Sequence, residues 1–233
     1  LDWAQALVLL NVEALDRHYT AALATHGDSA EAVQWSSRET QEARMAVLVE
    51  ALPAEILRTA SILDFGCGNG HLLRWLRATH GWEGAYTGYD ISQAMVDAAR
   101  DLHAEDPAAA FERRDVLAEG IDGRFDLVLV SGTFNNALPD NWAFTTDLLR
   151  VLFAATDRAL AFNALSTYVD YTTDGLAHHE PEALFSWCKT ELSPRVALRH
   201  DYEVKPGVIG FEFSIYVYPS EVPPTPAVPG GGP

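Results

Sequence analysis

The chain has 233 residues, 48% apolar and 21% charged, which suits one α/β domain with a sizeable core. Acidic side chains outnumber basic ones by 33 to 16, giving a formal net charge of −17. Nucleic acids and anionic membrane surfaces are therefore disfavoured as partners, because both require a basic patch. The two cysteines form no C-x-x-C pair, so neither a zinc site nor any other metal site is predicted.

The sequence predicts no membrane-spanning segment and no signal peptide. No apolar stretch reaches the roughly 20 residues of a membrane span. The first residues, Leu1-Asp2-Trp3, lack the basic region of a signal peptide, so a cytoplasmic location is predicted. Residues 219–233 contain six prolines, and this composition predicts a disordered tail.

Periodicity divides the rest of the chain into helices and strands. Helices are predicted over residues 3–24 and 37–52, the second ended by Pro53. Strands at 61–65, 85–89, 109–113, 125–130 and 158–162 then alternate with helices at 70–79, 93–104 and 142–155. A helix at 181–191 and alternating strands at 195–199 and 211–218 follow. This order predicts a Rossmann-like, doubly wound α/β sheet that ends in an antiparallel hairpin, with N-terminal helices over residues 1–54 and the sheet domain over 55–218.

A glycine-rich turn follows the first predicted strand. The strand ends in Asp64, and Gly66, Gly68 and Gly70 stand at alternate positions before a helix. Glycines at such a turn let the backbone and its N–H groups approach a ligand closely. A dinucleotide fingerprint needs its third glycine one place later, where His71 stands. The turn therefore indicates a nucleotide-like ligand other than NAD.

Polar residues also stand at the ends of the next three predicted strands. Asp90 ends the second strand, where a carboxylate can bind ribose hydroxyls, although helix capping is the alternative. Asp115 follows the third strand and could bind an adenine amino group or merely form a turn. Residues 131–136 follow the buried fourth strand, at the edge where open α/β sheets bind ligands.

Together these motifs resemble the class I S-adenosylmethionine-dependent methyltransferases. The matching segments are Asp64-x-Gly-x-Gly-x-Gly70, Gly88-Tyr-Asp90-Ile-Ser92 with Met95, the Asp115 loop and the strand at 125–136. Further segments are similar to a bacterial subgroup of small-molecule methyltransferases found in natural-product and polysaccharide settings: Trp35-Ser-Ser-x-Glu39-x-Gln41-x-x-Arg44, Phe162-Asn-Ala-Leu-Ser166, Tyr168-Val-Asp-Tyr171 and Leu198-Arg-His-Asp-Tyr202.

The resemblance implies S-adenosylmethionine as methyl donor, S-adenosylhomocysteine as product, and a seven-stranded sheet whose last strand is antiparallel. It implies that the three glycines approach the methionine part, that Asp64 holds its ammonium and that Asp90 binds the ribose. It also implies that Asp115 and the Val116 backbone bind the adenine. Arg44 is the predicted residue for the methionine carboxylate, with Arg38 as the alternative. The predicted site also includes Cys67, Ile91 and Ser131, with Cys67 a small residue of no evident chemical role.

The acceptor is predicted to be an oxygen or nitrogen of a small metabolite. Because a sulfonium is a strong leaving group, proximity and orientation can supply much of the catalysis. Where a base is needed, His179 and His200 are the candidates, and Asn135, Asn136, Tyr168 and Tyr171 are candidate acceptor contacts. A different Rossmann-type nucleotide enzyme and a non-catalytic S-adenosylmethionine-binding module remain alternatives, and the oligomeric state is open.

Overall fold

The computed structural model describes residues 16–17, 20–25, 27, 29, 35, 37–170, 172–205, 207 and 211–221. Within this part, the α-helices from residue 38 onward are α1 (Arg38–Val49), α2 (Ala54–Leu57), α3 (His71–His80), α4 (Gln93–Leu102), α5 (Val116–Glu119), α6 (Asn141–Ala154) and α7 (Pro181–Trp187). The strands are β1 (Ile62–Phe65), β2 (Tyr86–Asp90), β3 (Ala109–Arg113), β4 (Phe125–Val130), β5 (Thr156–Leu165), β6 (Arg195–Arg199) and β7 (Glu212–Tyr218).

The strands form one seven-stranded sheet in the order β3-β2-β1-β4-β5-β7-β6. Strands β1 to β5 pair in parallel, and β7 runs antiparallel to both β5 and β6. The chain order reverses between β1 and β4, so a crevice opens beyond the carboxyl ends of these strands. The fold prediction is thereby confirmed, including the antiparallel last strand.

Apolar side chains fill both faces of the sheet. One core lies between the sheet and helices α1, α3 and α4, and the other lies between the sheet and helices α6 and α7. Helix α1 is joined to β7 by the Tyr216 hydroxyl, which donates to the Val47 carbonyl at 2.6 Å. Helix α1 therefore reaches across the sheet and brings its own side chains to the crevice.

The predicted elements match the structure apart from their ends. Strand β5 is longer than expected, because its buried run continues to Leu165 and pairs with β7 along that length. The helix predicted to end at residue 191 is α-helical only to Trp187 and continues as a π-helical turn, Cys188–Leu192. Residues 16–17 and 20–25 are helical, and most of the first predicted helix and of the tail lies outside the described residues. No helix in the described ranges is long and apolar enough to cross a membrane.

Candidate active site

A cavity of about 460 Å³ opens at the carboxyl ends of β1, β2 and β4. This volume lies within the range of small-molecule sites, roughly 300–1,000 Å³. Most of the predicted donor-site residues line it: Arg44, Asp64, Gly66, Cys67, Gly68, Asp90, Ile91, Asp115, Val116 and Ser131. Gly70 is absent from the described lining and lies behind the turn, where an added Cβ would meet the His103 and Phe111 rings at 2.9 Å.

Three backbone N–H groups of the glycine turn are used within the protein. The N–H groups of Gly66 and Cys67 donate to the Tyr89 carbonyl at 2.8 and 3.1 Å, and that of Gly68 donates to Asp90 at 2.8 Å. A pyrophosphate would need such groups free. Gly66 has φ +78°, and a Cβ there would collide with the Thr133 hydroxyl oxygen, so the turn requires glycine at this position. The turn thus offers a ligand few free donors, which does not suit a pyrophosphate.

Asp90 both closes the turn and faces the cavity. It is 8% exposed, and its two carboxylate oxygens accept hydrogen bonds from the backbone N–H groups of Gly68 at 2.8 Å and Ser92 at 2.9 Å. Burial raises the pKa of Asp90, although these backbone N–H groups act in the opposite direction. Each oxygen retains acceptor capacity, so the same side chain can support the turn and accept ribose hydroxyls.

Asp64 lies next to Asp90 on the neighbouring strand. It is 5% exposed, and the Tyr86 hydroxyl donates to its Oδ2 at 2.5 Å. Burial raises the pKa of Asp64 to about 7, while the Tyr86 hydrogen bond lowers it and Asp90 raises it. A carboxyl group held in this way at a cavity wall is suited to bind a ligand's ammonium group.

Asp115 caps helix α5 and also borders the cavity. Its side chain accepts from the N–H groups of Leu117 at 3.2 Å and Ala118 at 3.4 Å, and its own N–H donates to Glu119. The turn-forming alternative considered from sequence is therefore realised. Asp115 and Val116 both line the cavity, so the cap does not exclude the adenine contacts predicted for them.

Arg44 lies on the cavity wall in a buried ion pair. Its Nε donates to Glu212 at 2.6 Å and its Nη1 to the Thr40 carbonyl at 2.7 Å. The Trp35 ring covers the guanidinium with its centroid 4.3 Å away, and the Phe211 ring lies at 5.6 Å. These contacts fix the guanidinium plane, a geometry suited to a carboxylate. The described hydrogen bonds leave Nη2 of Arg44 for a ligand.

Arg38, the alternative residue predicted to bind the methionine carboxylate, lies away from the described lining of the cavity. Its Nη1 donates to Nδ1 of His71 at 2.8 Å, and Nε2 of His71 donates to Glu42 at 2.9 Å. Burial lowers the pKa of His71, an effect that Glu42 opposes. This cluster joins α1 to the start of α3, and Arg38 is absent from the described lining of the cavity.

Unpartnered polar atoms mark the wall beyond β4. The Ser131 Oγ and the Asn135 Oδ1 are buried without a hydrogen-bond partner, and both residues line the cavity with Asn136. Asn163 Oδ1 accepts from the Gly132 N–H at 2.9 Å, which fixes this loop. Buried polar groups are normally satisfied, so the atoms beside the cavity indicate a ligand with hydrogen-bonding groups.

The structure places the predicted bases away from the described lining of this cavity. Nε2 of His179 lies 3.2 Å from the Phe134 carbonyl oxygen, and burial lowers the His179 pKa. The His200 ring packs near Tyr168 and Phe213, and the Tyr168 hydroxyl donates to Glu182 at 2.7 Å. Tyr171 lies outside the described residues. The roles predicted for these four residues stay predictions.

Several residues of the site were not assigned a role from the sequence. Among the polar ones, Gln41 and Thr133 line the cavity near Trp35, and Tyr86 supports Asp64 from outside the described lining. Gln41 is 6% exposed and lies one turn before Arg44 on α1. The spacing of Gln41 and Arg44 could have indicated a shared helix face. The pattern around a tyrosine inside a strand predicts a core residue, so no local pattern indicates that Tyr86 supports the site.

A family model for a methyltransferase domain matches residues 62–154. The provisionally named methyltransferase Rv1506c of Mycobacterium tuberculosis is 39% identical over 167 residues, which cover 67% of this chain and 92% of that protein. The protein-lysine N-methyltransferase EFM4 of Saccharomyces cerevisiae is 32% identical over 107 residues, 43% of this chain and 46% of that protein.

Solved structures show the same fold at low sequence identity. A complex of DhpI with S-adenosylhomocysteine has a TM-score of 0.59 and 18% identity, covering 90% of this chain and 98% of that one. The magnesium protoporphyrin IX methyltransferase of Synechocystis, also with S-adenosylhomocysteine, has a TM-score of 0.61 and 14% identity, covering 88% and 97%.

Proposed function

Because the chain belongs to the class I S-adenosylmethionine-dependent methyltransferase family, we propose that it methylates an oxygen or nitrogen of a small metabolite. The observation that carries this proposal is one cavity in which two different walls meet. One wall holds the glycine turn with Asp64 and Asp90, and the other holds uncharged amides and apolar side chains. A nucleoside donor and an uncharged acceptor can therefore lie side by side.

The donor wall fits S-adenosylmethionine residue by residue. The methionine chain lies against Gly66 and Gly68 on the cavity wall, Asp64 binds its ammonium and Arg44 its carboxylate. Asp90 binds the ribose, and Asp115 with the Val116 backbone binds the adenine. When bound, S-adenosylmethionine supplies a methyl group on a sulfonium sulfur, a strong leaving group.

The acceptor wall favours a neutral, largely apolar metabolite. Leu165, Leu176 and Phe211 line it together with Trp35. The side-chain amide oxygen of Asn135 has no hydrogen-bond partner among the described residues. That oxygen can accept a hydrogen bond from the N–H or O–H of the acceptor and orient it. No histidine is among the described lining residues, so the proposed catalysis rests on proximity and orientation. A role in natural-product biosynthesis is supported by the subgroup resemblance alone, and the cytoplasmic location stays a prediction.

Calorimetric titration with S-adenosylhomocysteine tests the donor site. We expect saturable binding below millimolar ligand for the wild type and a loss of at least tenfold in affinity for Asp90→Ala, because both the ribose contact and the support of the turn disappear. Asp97→Ala removes an exposed acid on the neighbouring helix α4 and is the matched control. Equal affinities for the two variants would refute the role assigned to Asp90.

Turnover of S-adenosylmethionine with panels of acceptors tests the rest. We expect methylation of neutral, largely apolar metabolites that carry a hydroxyl or amino group, and a lower kcat/KM for Asn135→Ala than for the wild type. A protein-lysine panel serves as the competing arm. Donor binding without turnover on any panel would instead favour a non-catalytic S-adenosylmethionine-binding module.

A further inference from the structure

Asp64 is a buried carboxyl group whose described surroundings contain no cation. The parallel register pairs Asp64 with Gly88, so Tyr86, Gly88 and Asp90 present their side-chain positions on the same sheet face as Asp64. The titratable groups that act on Asp64 from β1, β2 and the turn are Tyr86, Asp90 and Cys67. All three are neutral or anionic, so none of them compensates a negative charge on Asp64, and a cationic group of a ligand can do so.

The strand position paired with Asp64 is Gly88, and the space beside it is filled by Cys67 and Phe111. A Cβ on Gly88 would lie 2.8 Å from the Cys67 sulfur and 2.7 Å from the Phe111 ring. The Tyr86 hydroxyl instead packs beside Asp64 and donates to its Oδ2. Oδ1 of Asp64 makes no hydrogen bond within the described part of the chain, and the residue lines the cavity.

We propose that Tyr86 is a positioning residue for the methyl donor: its hydroxyl fixes the Asp64 carboxyl at the cavity wall, and that carboxyl releases its proton when the donor's ammonium binds. This inference rests on the proposed function. The step is balanced: the Asp64 proton leaves to solvent, and the resulting carboxylate pairs with the ammonium, which keeps its own three protons.

The electrostatics of the site support this coupling. Burial raises the pKa of Asp64 to about 7, so at lower pH the free protein carries the protonated form. Burial also raises the pKa values of the Tyr86 phenol and the Cys67 thiol well above their ordinary values, so both stay neutral. An ammonium beside Asp64 lowers the pKa of the carboxyl, because the opposite charge favours its ionised form.

Calorimetry in pairs of buffers with different ionisation enthalpies measures the released proton. At about pH 6, binding of S-adenosylhomocysteine should release close to one proton, because Asp64 is protonated only in the free protein. At about pH 9 the release should vanish, because Asp64 is already ionised. The probe 5′-methylthioadenosine has the nucleoside but no ammonium, and it should bind without release at either pH.

Tyr86→Phe tests the positioning role. Loss of a hydrogen bond that favours the ionised carboxyl raises the Asp64 pKa, so proton release should persist to higher pH than in the wild type. Affinity for S-adenosylhomocysteine near pH 7 should fall about tenfold and recover partly at pH 9. Tyr216→Phe is the control, since it removes a buried hydroxyl bonded to the Val47 carbonyl outside the described cavity lining.

The outcomes separate this inference from the proposed function. Absence of saturable S-adenosylhomocysteine binding overturns both. Binding without proton release near pH 6, or with equal release for 5′-methylthioadenosine, overturns the coupling alone. A release profile of Tyr86→Phe that matches the wild type overturns the positioning role. Should Tyr86→Phe not fold, Asp64→Asn tests the coupling: it should bind both probes without release, and release equal to that of the wild type would overturn Asp64 as the source of the proton.

Discussion

Removing one partner of the buried Arg44–Glu212 pair should destabilise the protein much more than removing both. The two side chains are 5% and 2% exposed, and 2.6 Å separates Nε from the carboxylate oxygen. Deleting one partner of such a pair costs about 3–5 kcal/mol, because the other charge stays buried without compensation. Arg44 borders the cavity and can reach water there, so we expect about 3 kcal/mol for Glu212→Leu.

Arg44→Met should cost a similar amount, and this cost should depend on pH. Burial raises the pKa of Glu212 above its ordinary value of 4.5, and Arg44 opposes that effect. Without Arg44 the pKa rises further, so the folded variant binds a proton that the unfolded chain has lost. Between 4.5 and the folded-state pKa its stability therefore falls as pH rises. The deficit relative to wild type should be smaller at about pH 5 than at about pH 8.

Urea unfolding of the wild type, both single variants and Arg44→Met/Glu212→Leu closes a thermodynamic cycle. We expect the double variant to lie within about 2 kcal/mol of the wild type, against about 6 kcal/mol if the two costs were additive. Additive costs would refute the view that these charges compensate each other. The folded double variant should bind S-adenosylhomocysteine more weakly than the wild type does, because it lacks Arg44, the residue proposed to bind the carboxylate of the ligand.

Two further predictions concern the turn and the thiols. Gly66→Ala should lower the free energy of unfolding more than Gly81→Ala does. Both place a residue with a side chain at a positive φ, which costs about 1–2 kcal/mol, but only the Cβ added at Gly66 meets Thr133. Thr133→Ala in the Gly66→Ala background should recover the difference, and urea unfolding that shows no recovery would contradict the clash. Cys67 and Cys188 should resist Ellman's reagent in the folded protein, because burial raises their pKa values, that of Cys188 to about 12; rapid labelling in native buffer would contradict this.

The donor wall was predictable because its signals are local. Asp64, the alternate glycines and Asp90 stand at the ends of two consecutive strands, and parallel strands bring their carboxyl ends to one edge. The alternation of strands and helices predicts the parallel sheet, the period-two pattern of the last strands predicts the antiparallel hairpin, and the family resemblance implies the count of seven strands. The sequence allows either a turn or an adenine contact for Asp115, and the structure shows that its carboxylate caps a helix while the residue lines the cavity.

The contacts that hold Arg44 and His179 were harder to predict because they join residues distant in sequence. Nothing near Arg44 indicates that Glu212, 168 residues away, holds it. The sequence places His179 in a polar loop of the segment expected to overhang the acceptor pocket, which makes it a candidate base. The structure places its Nε2 3.2 Å from the Phe134 carbonyl oxygen, a contact across 45 positions that no local pattern indicates, and its catalytic role stays a prediction.

The span between Arg44 and Glu212 has a consequence for the order in which the protein folds. Two residues separated by 168 positions can meet only after most of the chain between them has been ordered, because closing so long a loop costs entropy that earlier contacts must offset. The hydrogen bonds that join β1 and the glycine turn to β2 link positions 22 or 23 residues apart. A nascent chain can thus shape the cavity wall around the glycine turn first, and the wall that holds Arg44 is completed only when the final strand docks.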